Sequence, residues 1–189
     1  MNITVYLGSS EGNDPAFREC TRAFGEWIGR AGHTLVFGAS HSGQMGNLCD
    51  SVLRTGGKVI GVVPDIPLIR GLMHEGLTEA IFTPDMASRR SRMIELGDVF
   101  VALPGGIGTL DELTELITLM RIDVVHAHCV LLGPKDFWKP FRDMCEQMSR
   151  QGFIEGSIDD NVFYASTAEE AAAFIEQAAQ TKKRELSAP

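Results

Sequence analysis

The residues best suited to chemistry lie together in Pro104-Gly105-Gly106-Ile107-Gly108-Thr109-Leu110-Asp111-Glu112. This run follows an apolar stretch, Val99-Phe100-Val101-Ala102-Leu103, and leads into a helical pattern read from Thr109. A strand, a glycine turn and a helix start in that order make an anion site. The first backbone N–H groups of a helix have no partner within it, and the helix dipole favours negative charge there. Glycine lets the backbone approach a phosphate with no Cβ in the way. Glu112 is read on the first helical turn. A carboxylate beside a bound phosphate is electrostatically disfavoured, so it is expected to act on another part of the ligand. Glu115 lies three residues on and shares its face.

Two other small-residue loops follow predicted strands. Gly8-Ser9-Ser10 offers N–H groups and hydroxyls, and Gly38-Ala39-Ser40-His41-Ser42-Gly43 leads into Gln44-Met45-Gly46. The second loop is not a dinucleotide fingerprint, since it follows the second strand and lacks the acid that would hold a ribose. Met86-Ala87-Ser88-Arg89-Arg90 falls on a helix that also carries Arg92, and the three arginines cannot share one face. Arginine presents a fixed fork of donors, suited to phosphate or to a polar base. His126-Ala127-His128 has strand spacing for two metal ligands but no further cluster to complete a site. No metal is expected.

These loops need a scaffold that brings strand ends together. The chain reads as strands at 3–8, 34–37, 58–63, 80–83, 99–103, 128–132 and 161–164. Helices are read at 15–31, 44–55, 84–96, 109–122, 136–150 and 167–179, and 64–77 as a loop broken by proline and glycine. Asp14-Pro15 opens the first helix, and Gly32 and Gly56-Gly57 close the first two. Short, continuously apolar strands alternating with helices predict an α/β fold, a Rossmann-like doubly wound parallel sheet in one domain over 1–180. A frayed tail is expected over 181–189. In such sheets ligands lie at the carboxyl ends of the strands, where the loops at 8–13, 38–43 and 104–108 are expected to converge.

Composition narrows the function further. With 189 residues the chain is long enough for one substantial core. A net charge of −8 argues against a broad nucleic-acid surface. No apolar run is long enough to span a bilayer, and the first strand begins without a basic leader, so neither membrane nor signal peptide is expected. The four cysteines form no CxxC pair and read as buried thiols in a reduced, cytoplasmic protein.

Taken in order, the segments resemble the LOG family of cytokinin riboside 5′-monophosphate phosphoribohydrolases, long labelled lysine decarboxylases. The resemblance runs from Leu7-Gly8-Ser9-Ser10 through Leu35-Val36-Phe37-Gly38, Gly43-Gln44-Met45-Gly46 and Gly56-Gly57-Lys58-Val59-Ile60-Gly61-Val62-Val63-Pro64. It continues through His74, Leu77-Thr78-Glu79, Met86 and Arg89 to the PGGxGTxxE signature, and ends near Gly152-Phe153-Ile154. It implies a Rossmann-like homodimer with no cofactor that hydrolyses the N-glycosidic bond of a nucleoside 5′-monophosphate. It further implies Arg89 and Glu112 as the catalytic pair. Gly105, Gly106, Ile107, Gly108, Thr109, Leu110 and Asp111 match the loop for phosphate and ribose. Gly8, Ser9, Met86, Arg90, Glu115 and Thr118 join them as substrate-binding positions.

The chain departs from the family pattern at several points. Gly38-Ala39-Ser40 stands for a triple glycine, and Gly71 for a substrate-binding glutamate. Ala87-Ser88 stands for His-Glu, Arg90 for lysine, Ile107 for tyrosine, and Arg121-Ile122-Asp123-Val124-Val125 for Gln-Leu-Gly-Ile-His. The departures at Gly71 and Ala87-Ser88 motivate an alternative, a nucleotide-binding or sensing protein without hydrolysis. The old decarboxylase label fits poorly, because a pyridoxal phosphate enzyme needs a Schiff-base lysine near the strand ends. The helices at 84–96 and 109–122 are candidates for a dimer face.

Overall fold

The computed structural model describes residues 1–187, with side chains described as far as Gln180. Its strands are β1 (Asn2–Tyr6), β2 (Thr34–Phe37), β3 (Lys58–Pro64), β4 (Glu79–Thr83), β5 (Val99–Ala102), β6 (Cys129–Leu132) and β7 (Val162–Ala165). They form one seven-stranded sheet in the order β4-β3-β2-β1-β5-β6-β7. Every pair is parallel; Ile3, for example, lies between Leu35 and Val99. This is the doubly wound single domain that the alternation of strands and helices predicts. The winding reverses between β1 and β5, and a crevice opens above the strand ends at such a reversal.

The helices are α1 (Pro15–Arg30), α2 (Gly43–Arg54), the short α3 (Pro67–Arg70), α4 (Met86–Leu96), α5 (Ile107–Arg121), α6 (Lys139–Arg150) and α7 (Ala168–Ser187). One core joins one face of the sheet to α1, α2 and α7 through residues such as Phe24, Ile28, Leu48, Val52 and Ile175. The other joins the opposite face to α4, α5 and α6 through Met93, Leu113, Leu116, Ile117 and Cys145. Helices α1 and α2 approach closely because Gly25 and Gly29 lie at their contact. A Cβ on Gly29 would come within 2.0 Å of Thr55 Oγ1.

The main differences from the sequence reading have local reasons. Helix α5 begins at Ile107, so Glu112 lies on the second turn and not on the first. Helix α6 begins at Lys139, because Lys135 and Asp136 both adopt positive φ and turn the chain first. The loop read over 64–77 contains α3, started by Pro67. Helix α7 runs on to Ser187 through the helix formers of 182–186, so much of the expected tail is helical; residues 188–189 lie outside the described residues. Cys49, Cys129 and Cys145 are buried and Cys20 is half-buried; all four are free. Among the described residues no helix is long and apolar enough to cross a membrane.

Candidate active site

The three flagged loops converge. They border a cleft of about 490 Å³ above β1, β2 and β5. Gly8, Ser9, Ser10, Gly38, Pro104, Gly105, Gly106, Ile107, Gly108 and Thr109 all line it, together with Met86, Arg89, Asp111 and Glu112. Gly8 N–H donates to the Pro104 carbonyl at 3.2 Å, tying the loop after β1 to the loop after β5. This approach needs glycine on both sides. A Cβ on Gly105 would lie 2.0 Å from Thr109 Oγ1 and 2.8 Å from the Gly8 nitrogen.

The start of α5 is open to an anion. Its N-cap, Gly106, has no side chain with which to cap the first N–H groups. By contrast, Asp14 caps α1 by accepting from Ala16 N–H at 2.9 Å, and Asp85 caps α4 by accepting from Ser88 N–H at 2.7 Å. Uncapped donors at the positive end of a helix dipole, beside glycines, form an anion-binding surface.

Arg89 and Glu112 meet beside this surface, although they belong to different helices. Arg89 Nη1 lies 3.1 Å from Glu112 Oε1, and each residue is only 8% exposed. Arg89 Nε donates to the Val62 carbonyl at 3.2 Å, which ties the guanidinium to the end of β3. Gly38 leaves the room for it: a Cβ there would lie 1.9 Å from Arg89 Nη2. Burial pushes the Glu112 carboxyl up to about 7, with Arg89 pulling the other way and Asp111 adding to the rise. Desolvation thus outweighs the attraction of the arginine. The result is a carboxyl group that changes charge near neutrality, held by a cation in a cleft, as proton-transfer chemistry requires.

Other residues flagged from sequence stand apart from the cleft. Arg90 pairs with Glu115 through Nε and with Asp111 at 3.2 Å through Nη1, clamping α4 to α5. Leu110 packs against the core beneath α5. Thr118 is exposed, and its hydroxyl donates to the Thr114 carbonyl at 2.7 Å. Gly71 ends α3 and does not line the cleft. His126 lies 3.3 Å from Asp123 on the surface, and His128 packs edge-on against Phe174. Among the described residues no group of three or more His, Cys, Asp or Glu is placed to hold a metal ion.

The cleft has further walls, Glu11, Phe17, Gln44, Met45 and Phe137, none of them among the site residues expected from the sequence. Glu11, Gln44 and Met45 fall in or next to the flagged loops. Phe137 follows β6, where no run of small residues marks a loop, and it meets Phe17 edge to face at 5.5 Å.

Comparison with known proteins bears on this arrangement. A family model described as "Possible lysine decarboxylase" matches residues 45–175, well over half of the chain and all of the stretch from Met86 to Glu112. The cytokinin riboside 5′-monophosphate phosphoribohydrolase of Rhodococcoides fascians is 34% identical over 175 residues, covering 92% of this chain and 88% of the relative. The chain belongs to this family, the LOG family. A probable member from Oryza sativa subsp. japonica is 32% identical over 88% of the chain and 79% of its own length. An Arabidopsis thaliana member is 30% identical over 96% and 85%. The LOG fold extends to more distant proteins. The molybdenum cofactor binding protein of Rippkaea orientalis superposes with a TM-score of 0.72 at 20% identity, covering 94% of this chain and 96% of the other. The Moco carrier protein of Chlamydomonas reinhardtii gives 0.71 at 20%, over 95% and 98%. At that identity the likeness is one of fold.

One prediction concerns the room left for the arginine. Gly38→Ala is expected to displace the Arg89 guanidinium and lower kcat/KM by about 10²-fold, the scale on which a small misplacement acts. The melting temperature should fall by only a few degrees. Unchanged kinetics would show that the position of Arg89 does not matter.

Proposed function

We propose that the protein hydrolyses the N-glycosidic bond of a nucleoside 5′-monophosphate, either AMP or a cytokinin riboside monophosphate, to a free base and ribose 5-phosphate. The observation that carries this reading is the buried Arg89–Glu112 pair beside an uncapped helix start. The 5′-phosphate binds the N–H groups at the start of α5. Glu112 lies five residues along the helix from Ile107, about 7.5 Å at the usual rise. That offset sets the sugar, and not the phosphate, beside the carboxylate. As the base departs, positive charge builds at the ribose, as in other glycoside hydrolyses. Ionised Glu112 stabilises that charge and takes a proton from the attacking water. Arg89 holds the carboxylate in place and offers its guanidinium to the negative charge developing on the leaving base. The names of the relatives support the reaction class.

Two observations weigh against the other readings. Gly71, Ala87 and Ser88, whose departures from the family pattern suggested loss of hydrolysis, do not line the cleft. None of the described lysines lines it either, so no Schiff-base lysine is at hand for the decarboxylation that the family description suggests. The direct experiment is incubation with AMP, other nucleoside monophosphates and isopentenyladenosine monophosphate, followed by chromatography for free base. Release of base supports the proposal. Tight monophosphate binding without release would favour a sensing role.

The pH dependence follows from Glu112. Its ionised form is the active one, and burial holds its pKa at about 7. The free-enzyme profile of kcat/KM should therefore rise with pH through about 7 and level off above it. The 13C resonance of the Glu112 carboxyl should titrate over the same range. A profile flat from pH 5.5 to 8.5 would contradict the assignment.

The same reading includes a homodimer. Exposed apolar side chains at the two ends of α5, Ile107, Ile122 and Val124, support it. Light scattering during size-exclusion chromatography is expected to give twice the chain mass; the mass of a single chain at micromolar concentration would contradict it.

A further inference from the structure

Arg89 and Arg90 are consecutive on α4, yet they turn to different carboxylates of α5. Arg89 goes inward to Glu112. Arg90 forks between two others: its Nη1 lies 3.2 Å from Asp111 Oδ2, and its Nε donates to Glu115 Oε2. A guanidinium can hold two carboxylates at once because its donors form a rigid fork. Among the described residues, every ion pair that joins α4 to α5 comes from these two arginines.

Asp111 and Glu115 bracket Glu112 on the helix. Side chains four residues apart share a face, and like charges at that spacing repel. Three carboxylates are thus crowded together, with two cations to meet them. Arg89 is buried and fixed, its Nε donating to the Val62 carbonyl. Arg90 and Glu115 do not line the cleft, whereas Asp111 and Glu112 do. The other titratable groups facing this cluster are neutral near pH 7. Burial holds the Tyr6 hydroxyl of β1 well above its ordinary range, with Glu112 adding to the rise, and burial pushes the Cys129 thiol of β6 up to about 12. Asp111 opposes ionisation of Glu112, and Arg90 favours it.

We propose that Arg90 is a positioning residue that acts on Glu112 through the two carboxylates on either side of it. It draws Asp111 and Glu115 to itself, so that Arg89 is left to Glu112 alone. Without Arg90, two unpaired carboxylates would stand beside Glu112 and compete for the Arg89 guanidinium. The proposal rests on the reading of Glu112 as the ionising group of a phosphoribohydrolase.

The test is the pH profile of kcat/KM for AMP, together with the 13C titration of the Glu112 carboxyl, in Arg90→Met, Glu115→Gln and the double variant. In Arg90→Met the rising limb should move up by about one pH unit. kcat/KM at pH 7 then falls about fivefold and recovers in alkaline solution. The double variant removes one of the two released carboxylates, so its limb should return at least halfway. Glu115→Gln alone frees Arg90 from one carboxylate and should move the limb slightly to acid pH. That opposite sign gives a check that does not depend on the folding of Arg90→Met, and melting curves establish the fold of each variant. A limb that stays in place in Arg90→Met overturns the proposal. A lower rate alone would make Arg90 a structural clamp, and a raised KM alone a ligand contact. A displaced limb that the double variant fails to restore also overturns it, as does a Glu115→Gln limb that stays in place or moves up. The 13C titration needs no substrate, so it tests Arg90 even in a protein that turns over no monophosphate. That last outcome would overturn the reading of the cleft instead.

Discussion

Glu112→Gln is expected to lower kcat by about 10³-fold while KM for the monophosphate stays within a few-fold. The split follows from the geometry. In the proposed mechanism the phosphate is held by backbone N–H groups at the start of α5, which the substitution leaves intact. What disappears is the ionisable carboxyl beside the sugar. The fold should survive, because the amide oxygen of the substituted side chain can still accept from Arg89 Nη1, which lies 3.1 Å from Glu112 Oε1. Circular dichroism and a melting curve establish that point, and steady-state kinetics establishes the rest. A variant that turns over at the wild-type rate would remove Glu112 from the chemistry. A variant with unchanged kcat and a greatly raised KM would make it a binding residue instead.

Arg89→Met is expected to act on both rate and pH dependence. Methionine keeps the apolar stem but leaves Glu112 without its cation in a buried site. Arg89 is the strongest influence favouring the carboxylate form, opposing the burial that raises the carboxyl to about 7. Without it the carboxyl rises further and is mostly protonated at neutral pH. kcat/KM at pH 7 should fall by about 10²–10³-fold, and the rising limb of the profile should move to more alkaline pH. Removing one member of a buried ion pair typically costs about 3–5 kcal/mol, although protonation of Glu112 relieves part of that cost. The double variant with Glu112→Gln should be little slower than the slower single variant, since the two residues act as a unit. A profile that keeps its limb near 7 in Arg89→Met would break the proposed coupling.

Much of this fold was legible from the chain. Each of the runs Val99 to Leu103, Val59 to Val63 and Leu35 to Phe37 carries no polar side chain, which leaves little choice but a strand covered on both faces of a parallel sheet. The crevice was legible for the same reason: small residues after β1, β2 and β5 must lie at one edge of one sheet. The start of α5 was less so. Ile107 and Gly108 read as loop because neither is a capping residue, yet with Gly106 extended at the N-cap the helix begins at Ile107. That shift moves Glu112 from the first turn to the second, about 3 Å further from the helix start, where it meets the sugar in the proposed mechanism.

The Arg89–Glu112 pair itself was not legible from spacing. Arg89 sits in Ser88-Arg89-Arg90-Ser91-Arg92, which reads as a solvated polar helix, and only tertiary packing separates Arg89 from its neighbours. Arg90 turns to Asp111 and Glu115, Arg92 pairs with Glu95 on the surface, and Arg89 alone is carried inward to Val62 and Glu112. The resemblance to the LOG family singled out that one arginine.

The identity of the products from AMP tests the central claim most directly. With limiting AMP and enzyme in excess, chromatography and a ribose 5-phosphate assay should find adenine and ribose 5-phosphate in equal amounts, with no adenosine and no inorganic phosphate. Adenosine and inorganic phosphate in place of that pair would place the cleaved bond at the phosphate and contradict the account.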